Sequence, residues 1–379
     1  MTTTASRADR LPVLPGERLP RVESLTGLRW WAAFFVFAHH MTNLAPLPIH
    51  DFLQYGTSGV TFFFVLSGFV LTWSAQAGLP TRTFYWRRFA RIWPAHAVAL
   101  LLAVFVFYRV SPDPAEWWIK PLDLGILLLC LVLMHAWSND PAILYGGNPA
   151  SWTLSVEAFF YAYHPFAHRA LSRLRTRGGL AFCALVLALG AGYRVAAYRW
   201  PEAVPVLSQP VLHSVAFLVG IGLAVALRAG WRPQIPVWAA FAVFGAGLFT
   251  IWYAGNHPSV VPLGTTLGLT HKEVLTALYG FVIVAVASRD LRGGRSWLRS
   301  RPLVALGHWS YAFYLVHATL LYAIREVSGS VRPVGWTNVA WYAVICALAV
   351  LASWLHYRFI EHPLERRLRH RGPRGLLPL

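Results

Sequence analysis

The feature that most constrains the fold of this chain is a series of eleven apolar segments separated by short stretches rich in arginine. A water-soluble protein of 379 residues with 56% hydrophobic residues would leave much apolar surface in water, whereas a bilayer accepts it. Within a bilayer every backbone amide and carbonyl needs a partner, which an α-helix supplies internally. We therefore predict an all-α, polytopic membrane helix bundle. The segments lie at about 26–43, 58–75, 92–109, 122–137, 152–167, 180–198, 210–228, 235–254, 273–288, 303–324 and 338–357.

The distribution of basic residues decides how many segments cross the bilayer. If all eleven cross and the N-terminus is cytosolic, the basic loop 168–177 lies outside, against the positive-inside tendency. If segment 122–137 does not cross, 25 of the 33 lysines and arginines lie on the cytosolic side. We therefore predict ten transmembrane helices, one short re-entrant or interfacial segment at 122–137, and both termini in the cytosol.

The ends of the chain and its composition suggest a domain plan and a location. Residues 1–24 are polar and rich in proline, and we predict a flexible cytosolic tail there. Residues 25–360 are predicted as one membrane domain and 361–379 as a basic cytosolic tail. Arginine outnumbers lysine by 31 to 2, which is typical of a GC-rich bacterial genome. The predicted location is therefore the bacterial cytoplasmic (inner) membrane, where the chain passes several times.

Charge and cysteine usage exclude two other classes of partner. A net charge of +18 would suggest nucleic acid in a soluble chain, but these arginines lie between apolar segments. That placement is typical of loops that face anionic lipid, so we predict contact with the bilayer and no nucleic-acid binding. Cys130, Cys183 and Cys346 lie apart inside apolar segments without a C-x-x-C motif, and we predict neither a disulfide nor a metal site.

Two polar residues interrupt the first apolar segment, LRWWAAFFVFAHHMTNL. Arg29 and His40 are eleven residues apart, so they share a helix face and stand about 16 Å apart along its axis. One interpretation is that Arg29 snorkels to the surface while His40 makes a structural hydrogen bond at the other end. The other is that both face the protein interior and have a function. His39 faces another direction, and we predict a structural role for it.

Glu157 lies five residues into another apolar segment, SWTLSVEAFFYAYHP, whose Trp152 is predicted to anchor it at the outer interface. A carboxylate there must be paired or protonated. In the ten-span topology Glu157 lies at nearly the depth of His40, and we predict that it holds the imidazole and fixes its tautomer. The alternative is a structural hydrogen bond between helices.

Two further polar sets have both a functional and a structural interpretation. Ser310, Tyr314 and His317 recur at i, i+4 and i+7 on one helix face, where they either join helices or contact a substrate. Arginines in FYWRRFARIWP lie at the inner mouth of a span, where they either enforce topology or bind an anionic ligand such as a nucleotide phosphate. These arginines are Arg87, Arg88 and Arg91.

Six motifs in order, from about residue 24 to residue 367, resemble the integral-membrane acyltransferase-3 family of bacterial O-acyltransferases. Arg29 and His40 match its R-x10-H motif, and Arg88 and Arg91 its R-x-x-R spacing. The other four resemblances are FFFVLSGFVLT (62–72), WTLSVEAFFY (152–161), GHWSYAFYLVH (307–317) and FIEHPLERR (359–367).

The resemblance implies ten core spans and transfer of an acyl group from acyl-CoA to a hydroxyl. Acceptors in that family include sugars of surface polysaccharides and sugar-bearing antibiotics. The resemblance implies that His40 is the catalytic histidine, Arg29 its essential companion and Glu157 the acid of the S-V-E motif. It also implies that Arg88 and Arg91 act on the donor side.

This sequence departs from the family pattern at four positions. Thr61 stands where many members carry aspartate, and Ala158 and Phe159 replace a glutamate and a glutamine. Thr319 replaces a usual proline. The loss of acidic groups at 61 and 158 puts in doubt any acceptor contacts that those residues make in other members.

The predicted mechanism places CoA on Arg87, Arg88 and Arg91, with acetyl-CoA as the expected donor substrate and no tightly bound cofactor. His40 takes the proton of an acceptor hydroxyl, that of a sugar by expectation, as the oxygen attacks the thioester. An acyl-histidine intermediate remains an alternative. The predicted acceptor contacts, which hold the substrate or the oxyanion, are Ser310, Tyr311, His317, Trp152 and Ser155.

Two other classes of function remain open at this point. Ten spans with buried ionisable residues also suit a proton-coupled transporter or exporter, although no inverted repeat is evident. A structural membrane scaffold is the third possibility. Thioester consumption favours the enzyme, solute flux without acyl-CoA favours the transporter, and neither activity is expected of a scaffold.

Overall fold

The computed structural model describes residues 19–76, 78–113, 116–257, 264–329 and 331–372, and α-helices dominate them. The strands in these residues are β1 (Tyr108–Arg109) and β2 (Lys120–Pro121), which pair in parallel. The α-helices of the described residues are α1 (Glu23–Met41), α2 (His50–Leu53), α3 (Gly59–Trp73), α4 (Thr81–Phe107), α5 (Leu124–Leu131), α6 (Pro141–Leu144), α7 (Trp152–Leu171), α8 (Thr176–Arg199), α9 (Gln209–Arg228), α10 (Val237–Asn256), α11 (Gly264–Leu291), α12 (Arg301–Ser328), α13 (Val339–His356) and α14 (His362–Arg371).

Short helical turns of other types connect some of these helices. A 3₁₀ turn at Gln54–Ser58 joins α2 to α3, and a π-helical turn at Tyr357–Glu361 joins α13 to α14. The remaining 3₁₀ turns of the described residues are His135–Trp137, Trp297–Arg299 and Trp336–Asn338.

The all-α membrane architecture is confirmed in its main features. Among the described residues, seven helical segments are long and apolar enough to cross a membrane. Three further long helices, α1, α7 and α12, lie outside that set because they carry the polar residues of the predicted site, which lower their mean hydropathy. Seven and three give the predicted number, but the count of ten spans and the side of each terminus stay predictions.

The predicted non-crossing segment 122–137 contains α5, which has eight residues. At 1.5 Å per residue it is about 12 Å long, less than half of a hydrocarbon core of about 30 Å. Hydrogen bonds hold its end against α4, because Trp93 Nε1 donates to the Leu131 carbonyl and His96 Nε2 lies 2.9 Å from the Cys130 carbonyl. Its geometry therefore agrees with a segment that enters the bilayer without crossing it.

Helices α3 and α9 form the centre of the bundle, and glycine permits their close approach. A Cβ at Gly68 would collide with the Phe217 carbonyl, and one at Gly220 would collide with the Val65 carbonyl. Small residues at such crossings let membrane helices pack through their backbones. By contrast, α8 is 11% buried over its most apolar window, compared with 72% for α9, so α8 presents its apolar side chains to lipid.

Helix α1, which carries Arg29 and His40, is fixed on both sides. Gly307 brings α12 against the backbone of α1 at Thr26, and the side chain of Asp290 accepts hydrogen bonds from the amide and the hydroxyl of Ser24. A rigidly packed α1 holds its two polar residues at a constant separation.

The predicted domain boundaries stay predictions. Residues 1–18 of the first predicted tail and 373–379 of the second lie outside the described residues. Part of the second predicted tail is the amphipathic helix α14, which packs on α4: Trp86 Nε1 donates to the Leu368 carbonyl at 2.8 Å.

Candidate active site

A cavity of about 960 Å³ opens beside the C-terminal end of α1, and we call it the histidine cavity. Its lining includes polar residues from α1, α3, α9, α11 and α12, together with aromatic residues from the loops and the start of α7. These lining residues include His39, His40, Thr61, Trp117, Trp118, Lys120, Trp152, His213, His271, Lys272 and Tyr314. A cavity of this size accommodates a ligand larger than a monosaccharide.

His40 lies in the wall of this cavity against a second histidine. The rings of His40 and His317 are 5.1 Å apart, and the ring of His39 lies 5.0 Å from that of His40. His317 is fully buried, and its Nδ1 lies 3.1 Å from the Phe313 carbonyl and 2.9 Å from the Tyr314 carbonyl. Because two carbonyls face Nδ1, that nitrogen carries the proton and Nε2 is left as an acceptor. Nε2 has no hydrogen-bond partner within the described residues.

The other predicted acceptor residues lie in different surroundings. Trp152 lines the histidine cavity. Ser155 donates to the Leu133 carbonyl at 2.6 Å, and Ser310 donates to the Gly307 carbonyl of its own helix at 2.8 Å. Tyr311 donates to the Ile92 carbonyl at 3.0 Å, next to Arg91. Thus Trp152 and His317 are at or beside the cavity, whereas the hydroxyls of Ser155 and Tyr311 join separate segments and that of Ser310 bonds to its own helix.

A second polar group surrounds the other end of α1, and we call it the arginine cluster: Arg29, Arg88, Arg91, Glu157 and Glu361. The Arg29 guanidinium experiences the charges of three other members of this cluster, Arg91, Glu157 and Glu361. Arg29 makes no hydrogen bond or ion pair with a described side chain, and its Nε is buried without a partner. An Nε–H group that is buried without a partner is available to bind an anionic ligand.

The three arginines that were predicted to bind the donor differ in the partners that their side chains already have. Arg91 forms ion pairs with Glu361 at 2.7 Å and Glu365 at 2.8 Å. Arg88 stacks over the Tyr161 ring at 5.9 Å, and its Nε is buried without a hydrogen-bond partner among the described residues. Arg87 is half-buried on the same helix. Arg88 is therefore freer than Arg91 to bind a phosphate, because two carboxylates already neutralise Arg91.

Glu157 acts on the Arg29 guanidinium through its charge, and among the described residues it forms no ion pair with the arginines of the cluster. Its Oε1 accepts hydrogen bonds from Tyr161 at 2.5 Å and Ser67 at 3.0 Å. Trp152 lines the histidine cavity, and Glu157 follows it by five residues, which places the carboxylate about 7.5 Å deeper along the helix axis. The predicted contact between Glu157 and His40 is not among those of the described residues, and the catalytic role of Glu157 stays a prediction.

Sequence reasoning missed several residues that belong to these two sites. Tyr161 and Glu361 were not predicted to join Arg88 and Arg91, although both lie in motifs that resemble the family. Lys120 and Lys272 line the histidine cavity without having been predicted as site residues. The sequence feature that could have identified the two lysines is their rarity, since the chain has two lysines and 31 arginines.

The fold and the two sites together define a class of protein, a helical membrane protein with a polar site at each end of α1. A helical membrane protein has a half-buried imidazole in a large cavity at one end of a helix. At the other end, the guanidinium groups of Arg29 and Arg88 each have a buried Nε without a partner among the described residues. That arrangement suits chemistry between a polar acceptor and an anionic donor.

The chain belongs to the acyltransferase-3 family, because a family model described as an acyltransferase domain matches residues 22–358. Acyltransferase MdmB of Streptomyces mycarofaciens is 31% identical over 95% of this chain and 96% of its own length. Peptidoglycan O-acetyltransferase OatA of Listeria monocytogenes is 25% identical over 91% of this chain but 56% of its own length. Nodulation protein 10 of Rhizobium leguminosarum bv. viciae is 23% identical over 89% of this chain and 91% of its own. No solved structure matches the chain.

Proposed function

We propose that this protein moves an acetyl or short acyl group from acyl-CoA to a hydroxyl of a saccharide or saccharide-bearing acceptor, such as a polysaccharide, a glycolipid or an antibiotic. The observation that carries the proposal is the arrangement on α1. His40 lies in a cavity large enough for an acceptor. Arg29 lies about 16 Å away along the same helix, and both its Nε and that of Arg88 lack a partner among the described residues, which suits an anionic donor. Membership in an acyltransferase family supports this assignment over a transporter.

In the proposed reaction His40 is the general base. Its unprotonated ring nitrogen takes the proton of the acceptor hydroxyl while that oxygen attacks the thioester carbonyl. The tetrahedral intermediate collapses, the C–S bond breaks and the thiolate leaves with the proton from His40. His317, whose Nε2 is left as an acceptor beside His40, binds an N–H of the imidazole or the incoming hydroxyl. Attack by His40 itself, followed by transfer from an acyl-histidine, uses the same positions.

The arginine cluster is the proposed donor entrance. Arg88 and Arg29 would bind the phosphates or the developing charge on the donor path, with Arg87 at the margin. Arg91 would act indirectly, because its ion pairs with Glu361 and Glu365 tie α4 to the C-terminal helices. The proposed orientation puts this cluster toward the cytosol, where acyl-CoA is available, and the histidine cavity toward the outer face of the bacterial inner membrane.

The function is tested by reconstituting the purified chain in nanodiscs with acetyl-CoA and a panel of glycoside acceptors. We expect release of free CoA thiol that depends on the acceptor, and a product heavier by one acetyl group in the mass spectrum. Butyryl-CoA in the same assay measures the tolerance for chain length. Solute flux in liposomes without acyl-CoA, combined with no thiol release for any acceptor, would point to the transporter instead.

Charge reversal at Arg88 is expected to weaken donor binding. In Arg88→Glu we expect the KM for acetyl-CoA to rise about tenfold or more, because a repulsive carboxylate replaces a charge-assisted hydrogen-bond donor. The kcat at saturating donor should change much less. Steady-state kinetics over a range of acetyl-CoA concentrations provide the measurement.

Two arginines on the same helix serve as controls for that variant. Arg82→Glu makes the same reversal at an exposed position near the start of α4, and its KM should stay within about twofold of the parent. Arg91→Glu should instead lower the thermal stability, since Glu361 and Glu365 lose their shared partner. If Arg88→Glu and Arg82→Glu had the same KM for acetyl-CoA, Arg88 would not bind the donor and its role would be to enforce membrane topology.

A further inference from the structure

Both lysines of the chain line the histidine cavity, while none of its 31 arginines does within the described residues. Lysine and arginine differ in use: lysine presents a compact ammonium on a flexible stem, and arginine a rigid planar fork. The basic residues elsewhere in this sequence are arginines. The placement of the two lysines therefore suggests a site that needs a point positive charge.

The lining of the same cavity has no acidic residue among the described residues. Its titratable side chains are two lysines, four histidines and several tyrosines. Position 61 contributes the hydroxyl of Thr61 to this lining. A cavity with ammonium groups and no carboxylate in its wall has a positive potential, which attracts anions and repels cations.

The side chain of Lys272 has no ion-pair partner in the part of the chain that the structure describes. The neighbouring carboxylate, Glu273, is buried and forms an ion pair with Arg194 at 2.6 Å. Adjacent residues on a helix point about 100° apart, so Lys272 faces the cavity while Glu273 faces α8. No ion pair to Lys272 occurs within the described residues. His213 also lines the cavity, and so does His271, whose Nδ1 lies 2.6 Å from the Gly268 carbonyl.

Lys120 stands elsewhere in the wall, in the loop between α4 and α5. It donates a hydrogen bond to the Tyr145 carbonyl, and burial lowers its pKa to about 8. The loop also contributes Trp117 and Trp118, which provide flat apolar surfaces for a ring-shaped ligand. The cavity thus combines aromatic surfaces with cations at separate places.

We propose that the histidine cavity selects an acceptor that bears an acidic group, a carboxylate or a phosphate ester, and that Lys272 is the counter-ion of this group. This inference rests on the proposed function, because it specifies the acceptor. Glu273 forms its ion pair with Arg194, which leaves Lys272 without an ion-pair partner among the described residues. The hydroxyl to be acylated then lies on the same molecule, toward His40.

The test measures equilibrium binding to the full-length protein in nanodiscs and needs no thioester. The probes are 4-nitrophenyl β-D-glucoside, the corresponding glucuronide and the corresponding glucoside 6-phosphate, which share a size and differ in charge. We expect the better of the two anionic probes to bind about tenfold or more tightly than the neutral one, with a preference that weakens as salt is raised. Whichever anionic probe binds better identifies the group as carboxylate or phosphate.

Lys272→Met should reduce this preference to less than about threefold, and Lys272→Arg should keep most of it. Arg199→Met removes one exposed charge on α8 outside the cavity and should leave the preference unchanged. Equal binding of all three probes by the parent protein would overturn the inference, as would an undiminished preference in Lys272→Met. Acyl transfer to neutral acceptors with no charge preference would refute the inference alone, whereas charge-selective binding without any acyl transfer would refute the proposed function alone.

Discussion

The variant His40→Ala should lose acyl transfer almost completely while remaining folded. A general base contributes typically about 10²–10⁴-fold to a rate, so we expect kcat to fall by about that factor. The fold should persist because His40 borders a cavity, and its ring neighbours there are two other histidines rather than a close-packed core. The measurement is acceptor-dependent release of CoA thiol by protein whose thermal stability and gel-filtration profile match the parent.

His39 provides a matched control for this variant. It is the adjacent histidine on the same helix, lines the same cavity and lies 5.0 Å from the His40 ring. His39→Ala should keep kcat within about tenfold of the parent, since it points about 100° away around the helix. If a folded His40→Ala protein retained parental turnover, the histidine mechanism would have to be abandoned, whether it proceeds by direct transfer or through an acyl-histidine.

Glu157→Gln is expected to have the second largest effect, a fall in kcat/KM for acetyl-CoA of about 10²-fold. The carboxylate accepts hydrogen bonds from Ser67 and Tyr161 and supplies negative charge beside Arg29. An amide keeps the shape but removes the charge, so two charge-assisted bonds weaken and Arg29 loses a partner in its surroundings. The loss should appear in the kinetics of the donor, because those contacts belong to the arginine cluster.

The same variant separates two roles for Glu157. If the carboxylate orients His40 directly, Glu157→Gln should shift the pH–rate profile of the parent. If it organises the arginine cluster, the shape of that profile should persist, and Tyr161→Phe should reproduce part of the donor defect because it removes the 2.5 Å hydrogen bond. A shifted pH–rate profile with an unchanged KM for acetyl-CoA would show that Glu157 acts on His40 and not on donor binding.

Local features of the sequence predicted the helical membrane fold and the family correctly. The separation of Arg29 and His40 follows from helical periodicity alone, and α1 is continuous from Glu23 to Met41. The weakness of segment 122–137 as a span agrees with the eight residues of α5. The family resemblance, read from six short motifs, is confirmed by a family match over residues 22–358.

The contacts between distant segments were beyond what a single sequence specifies. Depth in the bilayer was inferred for Glu157 from the ends of its segment, but the position of α7 against α3 decided its partners, Ser67 and Tyr161. Periodicity placed Ser310 on the face of His317, yet a serine on a membrane helix can bond to its own backbone, as Ser310 does with the Gly307 carbonyl. Such choices depend on which neighbour lies within about 3 Å.

By itself the sequence determined that the chain is a helical membrane protein. The reason is that each segment enters the bilayer according to its own apolar length and its flanking basic residues, which are local properties of the sequence. It also determined which helix carries an arginine and a histidine on one face. Only the tertiary structure decided that His317 lies beside His40 and that both lysines line one cavity. It also decided that Tyr161 donates to Glu157 while Arg88 stacks over the Tyr161 ring. The physical reason is that hydrogen bonds and ion pairs act over a few ångströms, so side chains far apart in sequence interact only where helix packing brings them together.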